Sequence, residues 1–341
     1  MDFYLRLETY RNLLKECLID FSKTKIMKLE AQITHDLYNY ENVLYISEIF
    51  LLYKSIIQDK LYSTKTEKKD IQTFLSLKDV LVDEDRKLII YYLYNGSFKR
   101  GEFGINLEEI ISESRKYIND PLFYQVKLDN INNQNNLTAL NELVNNELAN
   151  IESLTQYHKY RLYYALEFAL TNSCAFEEAY EILTKAKAIA EMSDFGDKTI
   201  KNCYLRLGFV SYCLEKYEYT EKWMMKAFKM NHSISKNFVI LCSALEKMKK
   251  YDLIKEIISS TDTSKNKTTY NKKAYIYYKT KYEKTKLSKK DFIILEDLIC
   301  YEIKPLLNIY GEVHKKIFVN DLIEYIKITG NHYKFFEFMT T

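Results

Sequence analysis

Ten side chains of this chain fall on helical spacing in a pattern suited to recognition: Arg161, Tyr164 and Phe168, then Asn202, Arg206, Phe209 and Tyr212, then Asn237, then Asn271 and Tyr278. Residues three or four apart share one face of a helix. Asn both donates to and accepts from an extended backbone amide, Arg clamps a carboxylate through two parallel hydrogen bonds, and aromatic rings supply apolar pockets. This is the chemistry of holding a peptide, with the Asn residues discriminating because a mismatched ligand leaves them unpaired. The same residues admit plainer readings. Tyr164, Phe168, Phe209 and Tyr212 pack between helices, Asn202 caps a helix, and Arg161 and Arg206 pair with acids on a solvated face.

Residues that react are not grouped in this way. The histidines at 35, 158, 232, 314 and 332 stand apart, with no HExxH and no cysteine pair beside them. No GxxxxGK[ST], GxSxG or GxGxxG occurs. DPLFYQVK at 120–127 has the acid and lysine of a nuclease strand without the rest of a sheet, and reads as loop and helix start. The pattern predicts no catalytic residue, no metal and no cofactor.

The elements that must position the ten residues are helices. Only 7 Gly and 2 Pro occur in 341 residues, too few for hairpins and glycine-rich loops. A hydrophobic share of 47% with 28% charge is that of a folded domain, and +3 net charge supplies no global field toward nucleic acid or anionic membrane. Lysine and tyrosine interleave over 265–290, a basic helix face that could meet nucleic acid. The six cysteines form no CxxC pair and fit reduced, buried thiols. The start MDFYLRLETYR lacks the order of a signal peptide, and no apolar run reaches membrane-spanning length, so a cytoplasmic protein without membrane association is expected.

Leu7, Tyr10, Leu14, Leu18 and Phe21 give residues 3–21 an apolar stripe, and helices are predicted over about 24–38 and 41–58. One or two helices follow over 70–95, a loop over the glycine cluster 95–106, and a helix over 107–119 that stops at Asp120-Pro121. The asparagine-rich octet 129–136 marks a boundary between an N-terminal segment, 1–128, and a repeat region, 137–341. Within the latter, residues 201–231 fit a whole tetratricopeptide repeat. Leu207 and Gly208 form the large and small packing pair, Tyr217 opens the second helix, and Ala227 permits close approach. Looser units are read at 160–190 (Leu166, Phe176, Ala179, Leu183, Ala186), 235–261 (Leu241, Cys242, Tyr251), 268–300 and 313–339. The unit at 201 begins about seven residues later than a minimal repeat requires, with SDFGD as the connection. The fold expected is all-α, a right-handed α-solenoid of degenerate tetratricopeptide-like hairpins with a concave groove.

With KLEAQITHDLYNYENVLYISEIF (28–50), the unit at 201–231 and the ending DLIEYIKITGNHYKFFEFM (321–339), most of the chain resembles the peptide-pheromone receptors of Gram-positive bacteria and their phages. These include the Rap, PlcR and Rgg groups, and the chain is most similar to the phage arbitrium receptors. The resemblance implies a short secreted peptide as ligand and a homodimer joined through C-terminal repeats. The DNA-binding relatives begin with a helix-turn-helix domain, and none is evident in 1–60, where the helices pattern as a packed hairpin. The chain therefore either acts by contacting protein or has lost that domain. A constitutive protein scaffold and a DNA-binding regulator using 265–290 remain the alternative expectations.

Overall fold

With so few residues that interrupt helical hydrogen bonding, the regular elements are all helical in a computed structural model of the chain, which describes residues 3–40, 46–62, 68–78, 80–95, 106–124, 127–128, 142, 146–147, 154–230, 237–261, 269–283, 292–298 and 309–329. The octet 129–136, glycine-cluster residues 96–105 and the ending 330–341 lie outside the described residues. Two compact units result: Met1–Leu166 with Ala188–Gly196, and Glu167–Lys187 with Asp197–Thr341.

The first unit contains α1 (Phe3–Ile19), α2 (Lys23–Asn39), α3 (Ile46–Tyr62), α4 (Lys68–Leu77), α5 (Asp83–Asn95), α6 (Leu107–Arg115) and a 3-10 turn, Pro121–Phe123. Each of the six helices packs on the next. The α1 stripe is buried at Leu7, Leu14 and Leu18, with Phe21 buried just beyond the helix. Its polar edge is anchored as well. Arg6 pairs with Asp36 of α2 at 3.0 Å, and Tyr10 donates to the same carboxylate at 2.8 Å. Arg11 forks onto the buried Asp85 of α5 at 2.8 and 2.7 Å, and Tyr53 of α3 donates to it at 2.5 Å. The stretch 70–95 resolves into two helices, and α3 runs to Tyr62, four residues past the expected end. Asp120 caps the 3-10 turn by accepting from the Leu122 amide at 3.0 Å.

The SDFGD connection does more than join helices. Asp194 accepts from Ser22 Oγ at 2.9 Å and from the Thr24 amide at 2.7 Å, so it satisfies donors at the start of α2. These bonds, the Thr24 amide foremost, hold its carboxyl below the usual range. Gly196 follows at φ +81°, a left-handed conformation that suits a residue without Cβ.

Residues of α7 (Gln156–Asn172) and α8 (Phe176–Met192) fall in both units. The second unit continues with α9 (Asp197–Cys213), α10 (Tyr217–Lys229), α11 (Phe238–Lys247), α12 (Tyr251–Ser260), α13 (Thr269–Glu283), α14 (Phe292–Asp297) and α15 (Ile309–Thr329). Helix α9 starts four residues before the expected 201, because Asp197 of the connection already lies in its first turn. Helix α11 is buried from Phe238 through Leu245, as an all-round apolar helix must be, and it packs against α9, α10, α12, α13 and α15.

Three connections share one geometry. Residues 173–175, 214–216 and 248–250 each place a left-handed residue at the centre: Cys174 (φ 62°), Glu215 (φ 57°) and Lys249 (φ 58°). In each, the following amide reaches back to a carbonyl five residues earlier at 2.9 Å: Ala175 to Leu170, Lys216 to Ser211, Lys250 to Leu245. This is a Schellman-type helix end, built with residues other than the usual glycine. Phe176, Tyr217 and Tyr251 then open the next helix, where the sequence pattern put them.

Close approach of α9 to α10 rests on Gly208. A Cβ there would lie 2.4 Å from Met224 Cγ and 3.0 Å from its Cε. Ala227 beside it is fully buried. Gly208→Leu is expected to cost about 1–3 kcal/mol or more through overpacking. Chemical denaturation monitored by far-ultraviolet circular dichroism checks this; a wild-type midpoint in the variant would contradict the packing assigned to Gly208.

Candidate functional site

In the second unit, the helix ends flanking the three equivalent connections, with Cys174 and Glu215 of the first two, line a groove of about 660 Å³ together with residues of α13 and α15. Such a volume lies within the ~300–1,000 Å³ of ligand clefts. Phe176, Tyr217 and Tyr251 reach it from the starts of α8, α10 and α12, while Tyr212, Ser243 and Glu246 reach it from the last turns of α9 and α11. Tyr212 and Tyr217 meet edge-on with centroids 5.7 Å apart, and Tyr251 and Tyr282 lie 6.4 Å apart. Tyr212 Oη and Ser243 Oγ share a hydrogen bond of 2.8 Å.

The groove carries its own counter-charges. Lys281 Nζ donates to Asp321 at 2.8 and 3.0 Å and pairs with Glu246 at 2.9 Å, and Tyr282 donates to Glu246. Burial disfavours the Lys281 ammonium, but the two carboxylates outweigh it and raise its pKa, so the cation persists. Burial, then Glu246, raise the Tyr282 phenol, which stays a donor. Burial also pushes the Cys213 thiol up to about 12, which keeps it protonated and poorly nucleophilic. Glu215, Glu246 and Asp321 stand against Lys247, Lys281 and Lys316. A balanced charge set between aromatic walls suits a short zwitterionic chain better than a strongly charged polymer.

Of the ten residues picked out from the sequence, Tyr212 lines this groove. Phe209 and Tyr278 are 0% exposed and belong to the core cluster around α11, the packing alternative. Asn237 precedes α11 and Asn271 lies on α13, and both are buried. Asn202 is exposed in the middle of α9, so it caps nothing. Arg206 is interior: its Nε donates to Glu167 Oε2 at 3.0 Å and its Nη2 to Oε1 at 2.6 Å, while Thr171 donates to Oε1 at 2.8 Å. Its guanidinium also lies 5.5 Å from the centroid of the Phe168 ring, which is 42% exposed. The acid expected beside Arg206 is present, but buried rather than on a solvated face.

Arg161 and Tyr164 belong to the first unit. Tyr164 packs on Tyr160 with centroids 5.6 Å apart. Arg161 lines a cavity with Lys60, Tyr91 and Tyr157, and Lys60 Nζ donates to Tyr157 Oη at 2.8 Å. Enclosure raises the Tyr157 phenol, yet Lys60 and Arg161 together overcome this and lower it to about 8.

Within 265–290 the described residues are 269–283, and three of their lysines are paired with carboxylates. Lys273 pairs with Asp297, Lys279 with Glu283, and Lys281 with Glu246 and Asp321. Cys174 also departs from the expected buried thiols, being exposed at a turn centre. Sequence reasoning missed Ser243, Glu246, Lys281, Tyr282 and Asp321 on the groove and Lys60, Tyr91 and Tyr157 on the cavity. A signal existed for part of the groove, since a 34-residue repeat period carries Tyr212, Cys213 and Tyr217 onto Glu246, Lys247 and Tyr251. No family model, curated protein or solved structure matches the chain.

No helix among the described residues is long and apolar enough to cross a membrane. Arg206→Ala leaves the buried Glu167 side chain without its partner, and is expected to cost about 3–5 kcal/mol in denaturant unfolding; Asn202→Ala, at an exposed site, is expected to stay within about 0.5 kcal/mol of wild type. Equal stabilities would contradict the buried pair. Tyr157 faces Lys60 of α3, Tyr91 of α5 and Arg161 of its own helix. Its folded pKa lies below the ordinary value near 10, so the stabilisation is full above that pH and is lost as pH falls through about 8. Phenolate absorbance should show one tyrosine ionising near pH 8, an event that Tyr157→Phe removes and Lys60→Met moves upward.

Proposed function

We propose that this chain is a non-enzymatic, peptide-responsive regulatory receptor whose groove at 174–321 takes a short peptide. The observation that carries the reading is that three connections of one geometry, at 174, 215 and 249, bring equivalent aromatic residues to the edge of a single groove. An extended ligand can meet successive repeats in register only on such a surface. The last two connections are 34 residues apart, the tetratricopeptide period, and the first two are 41 apart. We read this as a tetratricopeptide-like superhelix with one lengthened unit.

In this reading the ten-residue line on the first helices gives way to the helix ends and turns, with Tyr212 common to both. Aromatic walls supply apolar pockets, and the Lys281 network offers fixed donors and acceptors to peptide amides. The resemblance to pheromone receptors adds a cytoplasmic homodimer and a regulatory protein partner. A peptide shifts such a receptor only by its differential affinity for two conformations.

The test is selection from a short-peptide display library against the wild-type chain, followed by calorimetry on the selected peptides. Tyr251→Ala combined with Lys316→Glu, both at the groove and outside the core, should weaken binding by about tenfold or more, with thermal stability nearly unchanged. Failure to select any saturable binder, or equal affinity in the double variant, would sink the proposed groove.

A further inference from the structure

The cavity of the first unit is a different kind of site, and its chemistry does not depend on the peptide groove. It measures about 240 Å³ and is enclosed by the end of α3, by α5, by the 3-10 turn and by the start of α7. That is somewhat under the ~300–1,000 Å³ of ligand clefts and suits a small molecule.

Its charge is unbalanced. Lys60 and Arg161 line it, against the single carboxylate of Asp59. The Lys60 ammonium donates to Tyr157 at 2.8 Å and lies over the Tyr157 and Phe21 rings, with centroids 4.9 and 5.5 Å away. Tyr91 is its other hydrogen-bond partner. Among the described residues no carboxylate comes within ion-pair distance of it, whereas Lys281, the half-buried lysine of the second unit, has two. A recessed ammonium held by neutral phenols lacks the counter-charge that normally offsets its desolvation.

The rest of the wall is neutral. His158 is buried, and burial lowers its pKa, so it adds no charge of its own and leaves Lys60 and Arg161 as the cations of the cavity; its ring stacks on Tyr124 at 4.4 Å and hydrogen-bonds the Pro121 carbonyl. The Tyr124 hydroxyl is buried in the wall with no hydrogen-bond partner among the described residues. Among the described residues of this wall Lys60 thus lacks a carboxylate and the Tyr124 hydroxyl a hydrogen-bond partner, whereas Lys281 and Tyr282 of the groove have both kinds of partner.

We propose that this cavity binds a small oxyanion, the carboxylate or phosphate group of a low-molecular-weight ligand, between Lys60 and Arg161. The anion supplies the missing counter-charge to Lys60 through a charge-assisted hydrogen bond. Occupancy ties α3 to α7 and so stabilises the folded first unit by mass action.

The full-length protein is titrated with inorganic phosphate and, separately, with succinate, at constant ionic strength against sodium chloride, by calorimetry and thermal unfolding. Saturable one-to-one binding of either probe, lost in Lys60→Met, is the expected result. Phosphate alone identifies a phosphate ligand, succinate alone a carboxylate, and both an oxyanion site of broad tolerance. No saturable binding of either, or binding unchanged by Lys60→Met, overturns the proposal. A second readout needs no variant: a bound anion disfavours the nearby Tyr157 phenolate, so saturating probe should move its ultraviolet ionisation midpoint upward in the wild-type chain. A midpoint that stays put at saturating probe places any binding elsewhere and equally overturns the proposal.

Discussion

The second unit depends on how closely α9 and α10 approach at Gly208. Its missing side chain is filled by Met224, and no other residue type leaves that space. Once the two helix axes are fixed, so is the connection between them, residues 214–216, with Glu215 in its left-handed conformation. That connection sets where Tyr212 and Tyr217 stand, and both line the groove. A steric requirement at one glycine is thus transmitted to the edge of the groove, one helical turn away at Tyr212 and across the connection at Tyr217. Packed interiors transmit such constraints because they are dense and nearly incompressible.

Interior charges do a second kind of positioning. Arg11 with Asp85, Arg206 with Glu167, and Lys281 with Glu246 and Asp321 each join segments distant in sequence. Pairs of this kind contribute little net stability, because desolvation cancels much of the attraction, but breaking one partner leaves an exacting penalty. Their use here is geometric. Glu167 accepts three hydrogen bonds, from Arg206 twice and Thr171 once, so the guanidinium has one orientation and Phe168 can lie against it. Asp85 likewise gathers Arg11 and Tyr53 and fixes α1 and α3 on α5.

What was legible in the sequence is what depends on local period. The α1 stripe, the Gly208 packing position and the aromatic openers at 176, 217 and 251 all follow from spacing within one or two helices. The helical fold class follows from the scarcity of glycine and proline. Site residues were less legible, because burial on a repeat helix is decided by the neighbouring helices that cover it. Phe209 and Tyr278 share spacing with Tyr212, yet the first two are enclosed around α11 and the third reaches the groove. Arg206 reads as a surface clamp until Glu167, 39 residues away, is found in front of it. Lys60 escaped notice because the apolar pattern of α3 fades before its last turn, and its partners come from 31 and 97 residues further on.

The groove and the cavity differ most in how their charges are balanced, and that difference predicts what each accepts. In the groove every named interior cation has a carboxylate, and Tyr282 and Tyr212 have hydrogen-bond partners of their own. The peptide proposed for the groove would gain little by bringing charge, and would be selected by the spacing of aromatic walls and by its backbone amides. In the cavity Lys60 is held by phenols, and one of them, Tyr157, is drawn toward its anionic form by the two cations around it. Burial opposes the phenolate while Lys60 and Arg161 favour it, so the small oxyanion proposed for this cavity competes with that phenolate for the same two cations.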